Sequence, residues 1–162
     1  MKRWPAAYRR ALLKALVGAP MAMAVAATPA ELVVVVNARS GVESLSRDQV
    51  VNIFMGRHRL FPHGGRAVPL DAPADSPERA QFYRLLINKE PQDVNAYWAR
   101  LIFTGRTQPP LEQPSIKAVI DRVEMDPYAI AYLDDSLLTR NMQMVMKLGA
   151  SPESSSAIRG KQ

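Results

Sequence analysis

The first strong feature along the chain is Leu32-Val33-Val34-Val35-Val36-Asn37, apolar and β-branched at successive positions rather than at alternate ones. A continuous run of this kind reads as a strand buried on both faces, the type found inside a parallel sheet. Asn37 to Gly41 supplies turn-forming residues, and from Ser46 the apolar spacing becomes helical. Val50, Ile53 and Phe54 form one stripe, Ser46 is a suitable N-cap, Gln49 stands at the reciprocal capping-box position, and Gly56 is placed to end the helix. Residues 57–66, with Pro62, Gly64 and Gly65, read as a loop. Ala67-Val68-Pro69-Leu70 is a short second strand, and its proline argues for an edge or an end.

Ser76 followed by Pro77 is an N-cap with proline at the first helical position. Ala80, Phe82, Tyr83, Leu86 and Ile87 carry the buried face of that helix. A further helix spans Asp93 to Phe103, with Val94, Tyr97, Trp98, Leu101 and Ile102 on one side and Gly105 as its stop. The aromatic set Tyr97, Trp98 and Phe103 is expected in the core. Gln108 to Pro114 reads as an extended connector, after which Ser115 caps a helix bearing Ile116, Val119, Ile120 and Val123 and ended by Asp126-Pro127. Ala129 to Leu133 is a third strand. Met142, Met144, Met146 and Leu148 alternate with Gln143, Val145 and Lys147 as a fourth, with a short Met-rich helix as the alternative. The order strand, helix, strand, helices, strand, strand predicts an α/β sandwich.

The segment ahead of this pattern is of another kind. Residues 1–30 open with Lys2, Arg3, Arg9 and Arg10, continue through a short apolar run interrupted by Lys14, and end in small residues, with no acid among them. That order is a secretory signal, and the run is too short and alanine-rich for a comfortable bilayer span. Cleavage fits after Ala26 or after Ala30, and the absence of Cys excludes a lipidated form. The expected division is a signal peptide over 1–30, an α/β domain over 31–149 and a polar, Ser-rich tail over 150–162, with the mature protein in the periplasm.

Export changes the charge argument. The whole chain carries 21 basic and 15 acidic residues, a net charge of +6. Five of the basic residues and none of the acids lie in the leader, so 16 face 15 in the remainder. The apparent basicity belongs to the leader, and a nucleic-acid surface is not expected. Without Cys no disulfide framework exists, so the domain relies on apolar packing.

Catalytic patterns are scarce. His58 and His63, the two histidines, share one loop beside arginines, with no HExxH or comparable ligand set. No Gly-x-Ser-x-Gly elbow and no Cys nucleophile occur. Neither an enzyme, a metal site nor a cofactor is therefore expected; a hydrolase using His58 or His63 is a distant third reading. Anion binding is better motivated. The turn before the Ser76 helix offers backbone N–H groups at a positive dipole end, with the Ser76 hydroxyl beside them and Arg79 one turn in. Plain N-capping by Ser76 with a surface Arg79 is the simpler alternative. Ser40 and Gly41, after the end of the first strand, offer a weaker version of the same argument.

Leu45-Ser46-Arg47-Asp48-Gln49-Val50-Val51-Asn52-Ile53-Phe54-Met55-Gly56 resembles the Leu-Ser-x-x-Gln-x-x-x-Ile-Phe-x-Gly segment in the second lobe of the periplasmic phosphate-binding proteins of ABC importers. Pro127-Tyr128-Ala129-Ile130-Ala131-Tyr132-Leu133 is similar to their proline-glycine-alanine-isoleucine-glycine-tyrosine strand. Pro77 to Tyr83 and Tyr97 to Gly105 look like the short, single-lobe members grouped with them. The resemblance implies a single three-layer-like lobe of the type II periplasmic binding fold, a mixed sheet flanked by helices. It also implies a non-catalytic protein that takes phosphate or a related small oxyanion. The family's anion motif, Arg followed by Asp, Gly, Ser, Gly and Thr, falls near Asp71 to Arg79, which here reads Asp-Ala-Pro-Ala-Asp-Ser-Pro-Glu-Arg. Asp75 and Ser76 match by residue type, and Arg79 replaces the cation from a later position. The missing glycines favour a rival reading, a lobe without ligand that contacts a partner protein of the envelope. An ABC permease is one implied partner, and a homodimer that rebuilds a two-lobed cleft is another arrangement.

Overall fold

The computed structural model of the chain describes residues 31–105 and 107–149. The expected leader and tail lie outside the described residues. Strands β1 (Leu32–Asn37), β2 (Val68–Asp71), β3 (Leu111–Glu112), β4 (Ala129–Asp134) and β5 (Met142–Lys147) form one sheet in the order β3-β2-β4-β1-β5. Helices α1 (Arg47–Phe54), α2 (Pro77–Ile87), α3 (Pro91–Phe103) and α4 (Ile116–Met125) cover it, with a 3-10 turn at Asp135–Leu137. Among these helices none is long and apolar enough to cross a membrane.

Every residue of β1 is buried, because both sheet faces are covered. Leu32, Val34 and Val36 pack with Phe54, Phe82 and Trp98 of α1, α2 and α3, while Val33 and Val35 pack with Val119 and Val123 of α4. The fold is therefore three-layered, and the sheet is mixed. One expectation needs correction here: β1 pairs antiparallel with both β4 and β5, and the parallel pairs are β2 with β3 and β2 with β4. Burial on both faces produces an unbroken apolar run whichever way the neighbours point.

Helix boundaries follow their caps. Ser46 and Gln49 form the full capping box of α1, and Ser76 and Ser115 each accept a backbone N–H from the first turn of their helices. Gly56 has φ +70°, and a Cβ there would stand 2.8 Å from Trp98 Cη2, so both conformation and close approach require glycine. Helix α3 starts at Pro91 rather than Asp93, with proline again at the first position. Its far end departs from the core: Phe103 is 94% exposed and Ile102 55%, leaving Trp98 as the buried aromatic of that helix.

The connector after Gln108 contains β3, two residues that the apolar pattern could not reveal because both are exposed. Pro69 is tolerated inside the sheet for a local reason. Val68 donates its N–H to Tyr128 of the turn before β4, so strand alternation turns the proline's missing donor to the other side, where β3 pairs only with Leu70 and Asp71. In β5 the register shifts between its pairings with Val34 and Val35, which breaks simple alternation. Val145 is buried, and its carbonyl accepts from Leu45 N–H at 3.0 Å.

Candidate functional site

Strand β2 ends on Asp71, and α2 begins six residues later, so residues 72–76 form a turn at the carboxyl end of a parallel pair. Ser76 Oγ accepts the Arg79 N–H at 3.2 Å and acts as the N-cap. Arg79 is not on the surface: it is buried, its Nε donates to Asp71 Oδ2 at 3.0 Å, and its Nη2 donates to Asn95 Oδ1 at 3.0 Å. Tyr83 donates its hydroxyl to the same Asp71 oxygen at 3.1 Å, and Tyr132 donates to the other. Tyr132 in turn accepts the Ala72 N–H at 3.1 Å. The result is a buried polar network in which both carboxylate oxygens of Asp71 are occupied. One donor is left over, Arg79 Nη1, which is buried without a hydrogen-bond partner.

The turn itself is partly committed. Ala74 N–H donates to Glu112 Oε1 on β3 at 3.0 Å, and Ser76 N–H donates to Pro73 O at 2.9 Å. Asp75 is exposed in this turn. Ser40 and Gly41 lie elsewhere. Because β1 runs antiparallel to β4 while β2 runs parallel to it, the carboxyl end of β1 falls at the opposite end of the sheet from Ser76. There Ser40 Oγ accepts Val42 N–H, its carbonyl contacts the His63 ring, and Asn37 donates to the Val123 and Glu124 carbonyls at the end of α4. The structure thus brings Asp75, Ser76 and Arg79 together and leaves Ser40 and Gly41 outside that group.

No protein-family model matches the chain, and no curated protein matches it. Solved structures do. An ABC-type phosphate transport receptor from Vibrio cholerae superposes with a TM-score of 0.57 at 16% identity, over 72% of this chain and 45% of the receptor. A phosphate ABC transporter substrate-binding protein from Clostridium perfringens, solved with bound phosphate, gives 0.56 at 13% identity, over 72% and 44%. PstS from Borrelia burgdorferi gives 0.56 at 11%, over 72% and 47%. This chain has the fold of a phosphate-receptor lobe. It spans less than half the length of these receptors.

Within that phosphate-receptor fold, local spacing along the chain marks the α2 turn but not Asp71, Asn95, Glu112 or the hydroxyls of Tyr83 and Tyr132. A faint signal existed for Asp71, an acid directly after the apolar Leu70 with an arginine eight positions on. Among the described residues no group of three or more His, Asp or Glu is placed to hold a metal ion.

Burial first, and the Asp71 charge second, push the Tyr83 and Tyr132 hydroxyls far above the ordinary tyrosine range, so both stay protonated and donate. Burial pulls Arg79 down, but the charge and hydrogen bond of Asp71 outweigh it, and the guanidinium ends above its usual value. Unfolded tyrosines release their protons near pH 10, below the folded values. The stability contributed by this pair is therefore complete below about pH 10 and is lost as pH rises beyond it. Urea midpoints measured across neutral and alkaline pH should fall above about pH 10, and a Tyr83→Phe, Tyr132→Phe variant should fall less steeply. An identical alkaline slope in that variant would assign the loss to other groups.

Proposed function

We propose that the chain is an exported, non-catalytic solute-binding-like protein that takes a small oxyanion such as phosphate, weakly, at the turn ahead of α2. On this reading residues 1–30 are the cleaved leader, residues 31–149 the periplasmic binding domain and residues 150–162 a polar tail. The observation that carries it is Arg79 Nη1, a buried cationic donor without an acceptor, in the first turn of a helix capped by Ser76. An unsatisfied buried donor costs about 1–3 kcal/mol, which an incoming oxyanion would recover. On this reading Asp75 and Ser76 flank the bound anion, and the phosphate-receptor fold supports the choice of ligand class. Affinity is expected to be low because Asp71 already neutralises Arg79 and Glu112 already holds Ala74 N–H.

Those two internal contacts favour a second reading, in which the lobe has exchanged its ligand for its own carboxylates and works by touching a partner protein of the envelope. An ABC permease is one such partner. A second copy of the chain is another, supplying the facing lobe. Calorimetry with phosphate and sulfate separates the readings. The first expects saturable heat with a Kd of about 1 mM, weakened at least about tenfold by Ser76→Ala, with folding checked by circular dichroism because the cap alone is worth about 1 kcal/mol. Absence of heat for the wild type, together with recovery of the same envelope partner with and without phosphate, would establish the second. Arg79→Ala is unsuitable as the test variant because it strands Asp71 in the interior.

A further inference from the structure

A groove of about 520 Å³ lies between α1 and α3, away from the α2 turn and sharing none of its residues. Its floor is apolar, made by Val51 and Met55 at the end of α1, Ile87 at the end of α2, and Val94 and Tyr97 of α3. The Tyr97 hydroxyl donates to the Met55 carbonyl at 2.8 Å, which leaves its ring as wall rather than as a polar group seeking a partner. Around this floor stand Arg57, Lys89 and Arg100, all exposed, against a single carboxylate, Asp93. Asp93 lies in the first turn of α3, where its charge already complements the helix dipole. None of the three cations forms an ion pair among the described residues.

We propose that this groove binds a single-chain amphiphilic carboxylate of the fatty-acid type. The hydrocarbon tail lies along the floor between α1 and α3, and the carboxylate meets Arg57, Lys89 and Arg100 at the rim. Charge complementarity selects the sign of the ligand, since the rim holds three cations and one acid. Size selects its class: ligand sites span about 300–1,000 Å³, whereas a stable protein interface needs about 800 Å² from each partner. Long basic side chains suit this arrangement, because their stems cover apolar surface while their heads remain in water. The inference is independent of oxyanion binding at α2.

The test is calorimetry of the full chain with dodecanoate below its micellar concentration, beside uncharged dodecanol and an acidic amphipathic peptide. One saturable dodecanoate site is expected. Dodecanol should bind about tenfold more weakly, as should dodecanoate to a variant carrying Arg57→Gln, Lys89→Gln and Arg100→Gln. Ala96→Glu, an exposed change that adds a second carboxylate to the groove lining, should weaken dodecanoate by a similar factor. All four positions are exposed, so the fold should survive these changes. Lack of saturable dodecanoate binding, equal affinity in the triple variant, equal binding of dodecanol, or capture of the acidic peptide alone would each overturn the proposal.

Discussion

Replacing Asp71 with alanine is expected to lower the unfolding free energy by about 3–5 kcal/mol, read from urea denaturation at pH 7. Asp71 is 5% exposed and accepts from Arg79, Tyr83 and Tyr132 at once. Its removal strands a buried guanidinium and leaves two buried hydroxyls without acceptors, which is why the loss exceeds that of an ordinary surface ion pair. Domains of this size hold about 5–15 kcal/mol in all, so the variant should sit near the edge of folding. Asp71→Asn keeps an acceptor for the tyrosines but turns an amide N–H or a neutral oxygen toward Arg79, and should fall between wild type and alanine. Asp71→Leu combined with Arg79→Met removes both charges together and should recover part of the alanine loss. A cost below about 1 kcal/mol for Asp71→Ala would mean that water or another residue replaces the carboxylate. The same network bears on ligand binding, because the charge that an oxyanion would seek is already paired inside the protein.

Phe82→Ala should be of similar severity, about 3–5 kcal/mol by the same measurement. Phe82 is fully buried on α2 and stacks on Tyr132 of β4 with ring centroids 3.8 Å apart and planes 9° from parallel. It also meets Phe54 of α1 in a T-shaped arrangement, with ring centroids 4.7 Å apart. Truncation opens a cavity where α1, α2 and the sheet converge, and the flanking Phe54 and Tyr132 rings are held on two different elements, α1 and β4, so little collapse can fill it. It also removes the ring beside Tyr132, whose hydroxyl serves Asp71, which couples the core to the polar network. Phe103→Ala is the matched control: at 94% exposure it should change stability by no more than about 0.5 kcal/mol. A comparable loss at Phe103 would mean that its ring is covered in solution.

Much of the fold was legible because it depends on neighbours within a turn of chain. Ser46 with Gln49, Ser76 with Pro77, and Ser115 announced three helix starts, and each cap is made as the spacing required. The β-branched run of β1 announced a strand covered on both sides, and both sides are covered. Apolar spacing misled where helix geometry alone decided nothing: Ile102 and Phe103 continue the periodicity of α3, yet the helix runs past the layer that would bury them.

The candidate site was legible in position but not in state. Residues 72–76 and Arg79 stood out from their order along the chain, and they do lie together. That Arg79 is buried and paired, that Glu112 reaches Ala74, and that Ser40 and Gly41 are at the far end of the sheet could not be read the same way. Asp71 and Tyr132 are 61 positions apart, and Ala74 and Glu112 are 38 apart. Local spacing and caps are enforced by steric and hydrogen-bonding rules that act over a few residues, so the sequence by itself determined the elements and their buried faces. Strand direction and the partner of each polar side chain depend on which distant segments share the core. Only the tertiary structure decided those, and with them that the Arg79 guanidinium behind the turn before α2 is buried and paired with Asp71.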